Sequence, residues 1–371
     1  MNYRKVPFFN YPAVFQSRKA EILATITDVA ERGAFIMQKD LEEFEANLAK
    51  FTSSKYAFGV ADGTAAIVIA LKASGVQPGD EVILPSHTFI ATASSVHFVG
   101  AKPILADCGP DHMLDAKSVE KKITSKTRAI LPVQLNGRTC NMAALQSLAD
   151  KHGLLIVEDA AQALGSKFNG KCAGTFGKAG TISFYPAKTL GAFGDAGAVL
   201  TSDDETAKLV RALRDHGRGE DNEIVMWGYN SRLDNIQAAI LNLKLKYYEE
   251  DVSRRREIAS RYQSQLGELK QLQLPPAPES EKEHYDVFQN YELEADDRDG
   301  LRNYLNEAGV GTLVQWGGRA VHHMKKLGLD GSDLVYTDAM FKRCMMIPMH
   351  PYLSNDDVDF VSETIRNFYK R

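Results

Sequence analysis

At 371 residues the chain exceeds one ordinary domain, and 44% hydrophobic with 25% charged residues is the balance of a globular protein with a sizeable core. Lys and Arg total 44 against 48 Asp and Glu, a net charge of −4, which leaves no basic field to recruit nucleic acid. No apolar run reaches bilayer-spanning length, "MNYRKVPFFNYPAVF" lacks a signal-peptide core, and Cys108, Cys140, Cys172 and Cys344 form no C-x-x-C pair; the expectation is a cytoplasmic protein without membrane span, disulfide framework or bound metal.

In chain order, "LEEFEANLAKFT" (41–52) carries apolar residues at helical spacing and "YAFGVA" (56–61) reads as a short buried strand. A helix follows at once, "GTAAIVIALKASG" (63–75), ended by glycine. Strand "EVILP" (81–85), helix "FIATASSVHFVG" (89–100) and strands "KPILADC" (102–108) and "RAILPVQL" (128–135) continue the alternation. Helix "MAALQSLADKHG" (142–153) precedes strands "LLIVEDA" (154–160), "GTISFYP" (180–186) and "GAVLTSD" (197–203). Short apolar runs separated by helices predict βαβ units and a largely parallel sheet. From 232 to about 271 the pattern is long and helical. "LQLPPAPESEKEH" (272–284) reads as a proline-rich linker. Beyond it, "YDVFQNYEL", "DRDGLRNYLNEAG" and "MMIPMHP" predict a smaller α+β unit. We expect residues 1–250 to form a large domain and 251–371 a small one.

Ligands of an open α/β sheet sit beyond the carboxyl ends of its strands. Gly63 and Thr64 follow one strand at a helix N-terminus, where free amides and the dipole attract an anion; simple helix capping is the alternative. Asp159 ends another strand, either as a helix cap or as the partner of a protonated ring nitrogen, with Gln162 three residues on. Ser183 lies in the next strand. Lys188 follows it, before the glycine-rich "GAFGDAG", a setting of close backbone approach rather than of a solvent-facing lysine. No G-x-G-x-x-G or G-x-x-x-x-G-K-[ST] occurs, so neither a dinucleotide nor an NTP loop is indicated. A phosphate site, a carboxylate for a pyridinium and a lysine together specify pyridoxal 5'-phosphate (PLP).

The stretches "RGAFIMQKDLEEFE", "DGTAAI", "EVILPSHTFIATASSV", "VEDAAQALGS", "SFYPAKTLGAFGDAGAVLTSD", "RDHGR", "GYNSRLDNIQAAIL" and "MIPMHPYLS" span nearly the full length. They resemble the DegT/DnrJ/EryC1/StrS family of nucleotide-sugar aminotransferases, with lysine 29 residues beyond the aspartate (188 − 159). The resemblance implies a fold type I PLP-dependent transferase: a large domain with a mostly parallel seven-stranded sheet and a smaller C-terminal α+β domain. It implies that Lys188 is the catalytic Schiff-base lysine, Asp159 the pyridinium partner, Gln162 the amide at the ring hydroxyl and Phe89 the stacking aromatic. Gly63, Thr64 and Ser183 match phosphate binders. Asn230 matches an asparagine that reaches the phosphate of the neighbouring subunit in a homodimer. The implied reaction moves an amino group from L-glutamate, leaving 2-oxoglutarate, to a nucleotide-linked keto-6-deoxy sugar, for deoxyamino sugars of a surface polysaccharide such as O-antigen or of a secondary metabolite. Two segments depart from the common family pattern. Gln134 and Asn136 stand in "PVQLNGR" where many relatives carry histidine, and "VQWGGRAVHHM" (314–324) replaces a "PLH" element. Gln134, Trp316 and Arg319 are candidate substrate contacts; Trp316 could equally plug a domain interface. A loose likeness of the 314–324 segment to C4-aminating relatives favours a dTDP-4-keto-6-deoxyhexose. The alternatives are a 3-keto sugar on dTDP, UDP or GDP, a PLP-dependent sugar dehydratase, which Lys188 argues against because such relatives carry histidine there, and a regulatory protein that keeps the fold without catalysis.

Overall fold

The structure is a computed structural model that describes residues 4–370. Three helices, α1 (Tyr11–Gln16), α2 (Lys19–Glu31) and α3 (Lys39–Thr52), lead into strand β1 (Tyr56–Val60). The chain then alternates through α4 (Gly63–Ala73), β2 (Glu81–Pro85), α5 (Ile90–Phe98), β3 (Lys102–Ala106), α6 (Ala116–Lys122), β4 (Thr127–Ile130), α7 (Met142–His152) and β5 (Leu155–Asp159). A two-residue hairpin, β6 (Lys167–Phe168) and β7 (Lys171–Cys172), precedes β8 (Ala179–Ser183), β9 (Gly197–Thr201) and α8 (Asp204–Arg214).

The main sheet has seven strands in the order β1-β9-β8-β5-β4-β2-β3. From β8 to β3 all neighbours are parallel, and β9 alone runs against the rest. The strands are near-continuous apolar runs because helices cover both faces. Helix α4 is apolar almost all round, and Ala66–Leu71 are all buried, as a helix packed between the sheet and helices α5 and α8 must be. The chain therefore brings the carboxyl ends of β1, β2, β4, β5 and β8 to one rim.

The helical pattern of 232–271 divides into α9 (Asn235–Leu245) and α10 (Tyr248–Leu266). The break falls at Tyr247, whose φ of −110° and ψ of 3° leave the helix, while the buried Tyr248 hydroxyl is anchored on the Leu164 carbonyl at 2.7 Å. Residues 272–284 are not a free linker. Strand β10 (Leu272–Gln273) and β11 (His284–Tyr285) pair with β12 (Tyr291–Ala295) and β6 respectively. The buried Arg138 guanidinium holds Glu281 between them and, at 2.7 Å, Asp286 just beyond β11. Strands β10, β12 and β13 (Cys344–Ile347) form a three-stranded antiparallel sheet, with α11 (Arg298–Glu307) and α12 (Val335–Phe341) inserted before β13. Helices α10, α11 and α13 (Asn355–Tyr369) pack together, and α13 starts in a capping box formed by Ser354 and Asp357. Val6 pairs with Val310 and joins this second core from the far end of the chain. Among the described residues no helix is long and apolar enough to cross a membrane.

Candidate active site

The rim of the large sheet opens into a cavity of about 710 Å³ lined by Gly63, Thr64, Asp159, Gln162, Ser183 and Lys188. All six lie at or beyond the carboxyl ends of β1, β5 and β8, and the topology gathers them. Asp62 caps α4 by accepting the Ala65 N–H at 2.9 Å, so Gly63 and Thr64 form the open first turn. A Cβ on residue 63 would stand 2.8 Å from Ser183 Cβ, and one on residue 197 would stand 2.5 Å from the Asp62 carbonyl oxygen. Glycine at both positions lets β8, β9 and the α4 N-terminus close into one cradle of backbone amides and a hydroxyl. That is the donor set a phosphate requires.

Asp159 is buried at the end of β5. Thr92 Oγ1 donates to Asp159 Oδ2 at 2.7 Å, the Ala161 N–H donates to Oδ1 at 3.2 Å, and Thr88 supports Thr92 through a 2.7 Å hydroxyl–hydroxyl bond. Burial pushes the Asp159 pKa up, while the Thr92 and Ala161 donors and the Lys188 charge oppose it. Lys188 responds in the opposite sense: burial pulls its ammonium down to about 8, against the attraction of Asp159. A lysine with that value has a substantial neutral fraction near neutral pH, as a nucleophilic amine needs.

Lys188 is fixed from a distance. Gln289 donates through Nε2 to the Ala187 carbonyl at 2.7 Å and accepts the Thr189 N–H on Oε1 at 2.7 Å, so one buried amide grips the backbone on both sides of the lysine. Thr189 Oγ1 also meets the Tyr248 hydroxyl at 2.7 Å. Gln162 has its carbonyl end engaged, since Oε1 accepts the Asn136 N–H at 2.8 Å, and its NH2 group is what it can offer the cavity. Sequence reasoning missed Thr92 and Gln289. Thr92 carried a readable signal, a hydroxyl residue in the first turn of α5 one turn after Thr88, at the rim where the neighbouring strands end. Gln289 carried none, because its partner lies 100 residues away.

The other candidates divide. Phe89 caps α5, is 54% exposed and lines the cavity. Trp316 also lines it from the far wall, and at the same time packs edge-on against His87 with ring centroids 5.2 Å apart. Gln134 is corrected. It is fully buried, donates to Glu158 Oε2 at 2.7 Å and accepts the Cys140 N–H at 2.7 Å, so both ends of its amide serve the interior. Its partner Glu158 is a buried carboxylate that also receives N–H bonds from Gly174, Phe176 and Gly177. Arg319 is exposed and is not among the residues lining the cavity, because the positive φ of Trp316, 50°, and of the two glycines after it turn the chain outward. Asn230 is exposed and likewise outside the cavity of its own chain.

The residues present fit pyridoxal phosphate: an anion cradle beside a lysine, a buried carboxylate for the ring nitrogen, and an aromatic between them. Comparison with known proteins agrees. Residues 16–366 match the DegT/DnrJ/EryC1/StrS aminotransferase family. The chain is 38% identical to the dTDP-3-amino-3,4,6-trideoxy-alpha-D-glucose transaminase of Streptomyces venezuelae, over 99% of this chain and 97% of the relative. It is 36% identical to the UDP-2-acetamido-2-deoxy-3-oxo-D-glucuronate aminotransferase of Pseudomonas aeruginosa, over 94% and 96% of the two chains. The crystal structure of NtdA from Bacillus subtilis with bound cofactor PMP superposes with a TM-score of 0.92 at 32% identity, covering 100% of this chain and 88% of that one. With a lysine that burial makes nucleophilic and a cradle shaped for its cofactor's phosphate, this chain belongs to the DegT/DnrJ/EryC1/StrS family as a PLP-dependent sugar aminotransferase of fold type I.

Proposed function

We propose that the enzyme takes the amino group of L-glutamate and delivers it to the C3 keto carbon of a hexose linked to a nucleoside diphosphate. The observation that carries the chemistry is the pairing of Lys188 and Asp159 across one wall of the cavity. When bound, pyridoxal phosphate supplies the electron sink for the nitrogen transfer. Lys188 would hold it covalently and then carry the proton at its Nζ. Asp159, fixed by Thr92, would hold the proton on the ring nitrogen. Phe89 would cover the ring, Gln162 would offer its NH2 group to the ring hydroxyl, and Gly63, Thr64 and Ser183 would hold the phosphate. The C3 position is favoured over the C4 reading of the 314–324 segment by the names of the two relatives above, both of which concern carbon 3. Trp316 and the remaining cavity volume are left for the sugar and its nucleotide.

Two further parts of the reading concern architecture. Residues 1–250 carry the cofactor and 251–371 close over it, with Val6 lent to the second part. The enzyme works as a homodimer in which Asn230 of each subunit completes its neighbour's phosphate site. Exposed Ile224, Val225 and Trp227, the last 96% exposed, support an apolar contact in the loop that leads to Asn230. The test is turnover with glutamate against dTDP-, UDP- and GDP-linked 3-keto and 4-keto sugars, with product regiochemistry read by NMR. Amination of 4-keto sugars alone would return the C4 reading, and no turnover with any of them would remove nucleotide sugars as the substrate class.

A further inference from the structure

Behind the Trp316 wall lies a second, buried group that the amino transfer does not use: His87, His112, Glu292 and Glu294. His87 follows β2, His112 sits in the turn after β3, and Glu292 and Glu294 are in β12, so the cluster bridges the two sheets. His87 Nδ1 faces the His112 carbonyl oxygen at 3.3 Å, and a carbonyl only accepts, so Nδ1 carries the hydrogen. His87 Nε2 is buried without a hydrogen-bond partner, 3.5 Å from Glu292 Oε2. That pairing requires a cation between nitrogen and carboxylate, either a proton on Nε2 or a metal ion. His112 Nδ1 stands 3.0 Å from the same Oε2, and its Nε2 stands 3.1 Å from Glu294 Oε1.

We infer that His87 Nε2, His112 Nδ1 and Glu292 Oε2 form a binding site for a divalent transition metal, of which zinc is the best match. Zinc bonds to imidazole nitrogen and carboxylate oxygen run about 2.0–2.2 Å, and tetrahedral angles then separate the ligand atoms by about 3.3 Å. The observed 3.0 and 3.5 Å bracket that value. Both histidines already have the outer partners that metal ligands use, His87 a backbone carbonyl and His112 the Glu294 carboxylate. Glu292 is oriented as a ligand would be: Oε1 accepts from Gln315 at 3.0 Å, and Oε2 accepts from Asn136 at 2.9 Å with a lone pair to spare. A separate cavity of about 270 Å³, lined by His112, Asn136 and Glu292, adjoins the group and offers a path for an ion and a water. Binding transfers the Nδ1 proton of His112 to solvent and puts the cation in its place. The other clustered pair of histidines lacks these features. In the His322–His323–Asp338 group the Ala320 N–H donates to His323 Nδ1 at 3.1 Å, so His323 Nε2 is protonated and donates to Asp338 at 2.6 Å.

The site would be structural, tying β12 to the large sheet next to Trp316. It is tested on the PLP-loaded enzyme, produced with zinc in the medium and dialysed against metal-free buffer, with metal counted by plasma mass spectrometry. About one zinc per chain is expected, lost in His87→Gln and in His112→Gln and kept in His323→Asn. Zinc K-edge absorption of the wild-type enzyme should report two imidazoles and no sulfur. Chelation should lower the melting midpoint by several degrees, and added zinc should restore it. These two measurements decide the matter if the histidine variants do not fold. Retention of zinc in both variants, or a wild-type enzyme that binds none and does not respond to it, leaves only a His112–glutamate ion pair and overturns the site.

Discussion

The near wall of the cavity and its far wall are built by different means. On the near wall, Gly63, Asp159, Gln162, Ser183 and Lys188 each sit at or just beyond the end of a parallel strand, and the strand end itself aims the residue. The far wall carries Gln315 and Trp316 on a loop, and behind it Asn136 from a turn and Glu292 from a strand of the other sheet tie that loop down through side chains. Gln315 donates to Asn136 Oδ1 at 2.7 Å, and Asn136 donates to Glu292 at 2.9 Å. Local sequence therefore sets the chemistry of the near wall, whereas the shape of the far wall depends on partners scattered along the chain. Cofactor chemistry can stay fixed on the first while substrate choice varies with the second.

The comparison is broken most severely at Lys188. Lys188→Ala should cut turnover by about 10⁴-fold or more while leaving a folded protein, because the cradle and the covalent chemistry lie in different residues. Borohydride fixation and peptide mapping of the wild-type enzyme should find the pyridoxyl label on Lys188. Capture of pyridoxal phosphate by apoenzyme should rise as pH passes about 8, where the neutral amine becomes dominant, and not near the ordinary lysine value. A rate that keeps climbing toward pH 10 would mean that Lys188 is not desolvated.

Next comes Asp159→Asn, which keeps the shape and the Ala161 contact but cannot hold a proton on the ring nitrogen. Turnover should fall by about 10³-fold. Covalent capture should survive and shift to lower pH, since the carboxylate that raises the Lys188 pKa is gone. Near-normal turnover would remove the ring-partner role.

Gln289 tests whether the near wall also depends on remote support. Gln289→Ala removes the grip on both sides of Lys188, and kcat should fall roughly 10- to 100-fold, a cost typical of misplacing a reacting group by about an ångström, with little change in KM. Loss of thermal stability with unchanged kcat and capture rate would reduce Gln289 to a packing role.

These residues also mark what was legible in the sequence. The alternating elements that build the large sheet were readable because each strand is a short apolar run and several of its helices have clear caps or glycine stops, such as Asn141 and Gly153 around α7. The near-wall residues followed from strand-end position together with family resemblance. What stayed hidden was contact across the chain. Nothing local says that Gln289 holds Lys188, that Arg138 pins 281–286, or that the chain breaks at Tyr247 between two helices. Gln134 was misread for the same reason. A polar residue where many relatives carry histidine suggests a ligand contact, and only the fold reveals a buried glutamate waiting beside it.

Gln134 therefore supplies the smallest expected effect on activity and the cleanest separation of the two kinds of residue. Gln134→Leu should leave KM for the keto sugar and kcat close to wild type, because neither end of the amide reaches the cavity. It should lower stability by about 1–3 kcal/mol, since Glu158 loses a donor and the Cys140 N–H loses its acceptor, both in the interior. The loss should depend on pH in a defined sense. Burial already raises the Glu158 pKa, and Gln134 is one of the donors that hold it down. Removing that donor raises it further, so the variant disfavours the ionised carboxylate more than the wild type does. The deficit should be smaller in acid, where only the Cys140 N–H loses its acceptor, and should grow as pH rises past the ordinary carboxylate range. Paired melting curves at acidic and mildly alkaline pH measure it. A deficit that is flat with pH would mean that Gln134 does not influence the titration of Glu158, and a raised KM would return Gln134 to the substrate site.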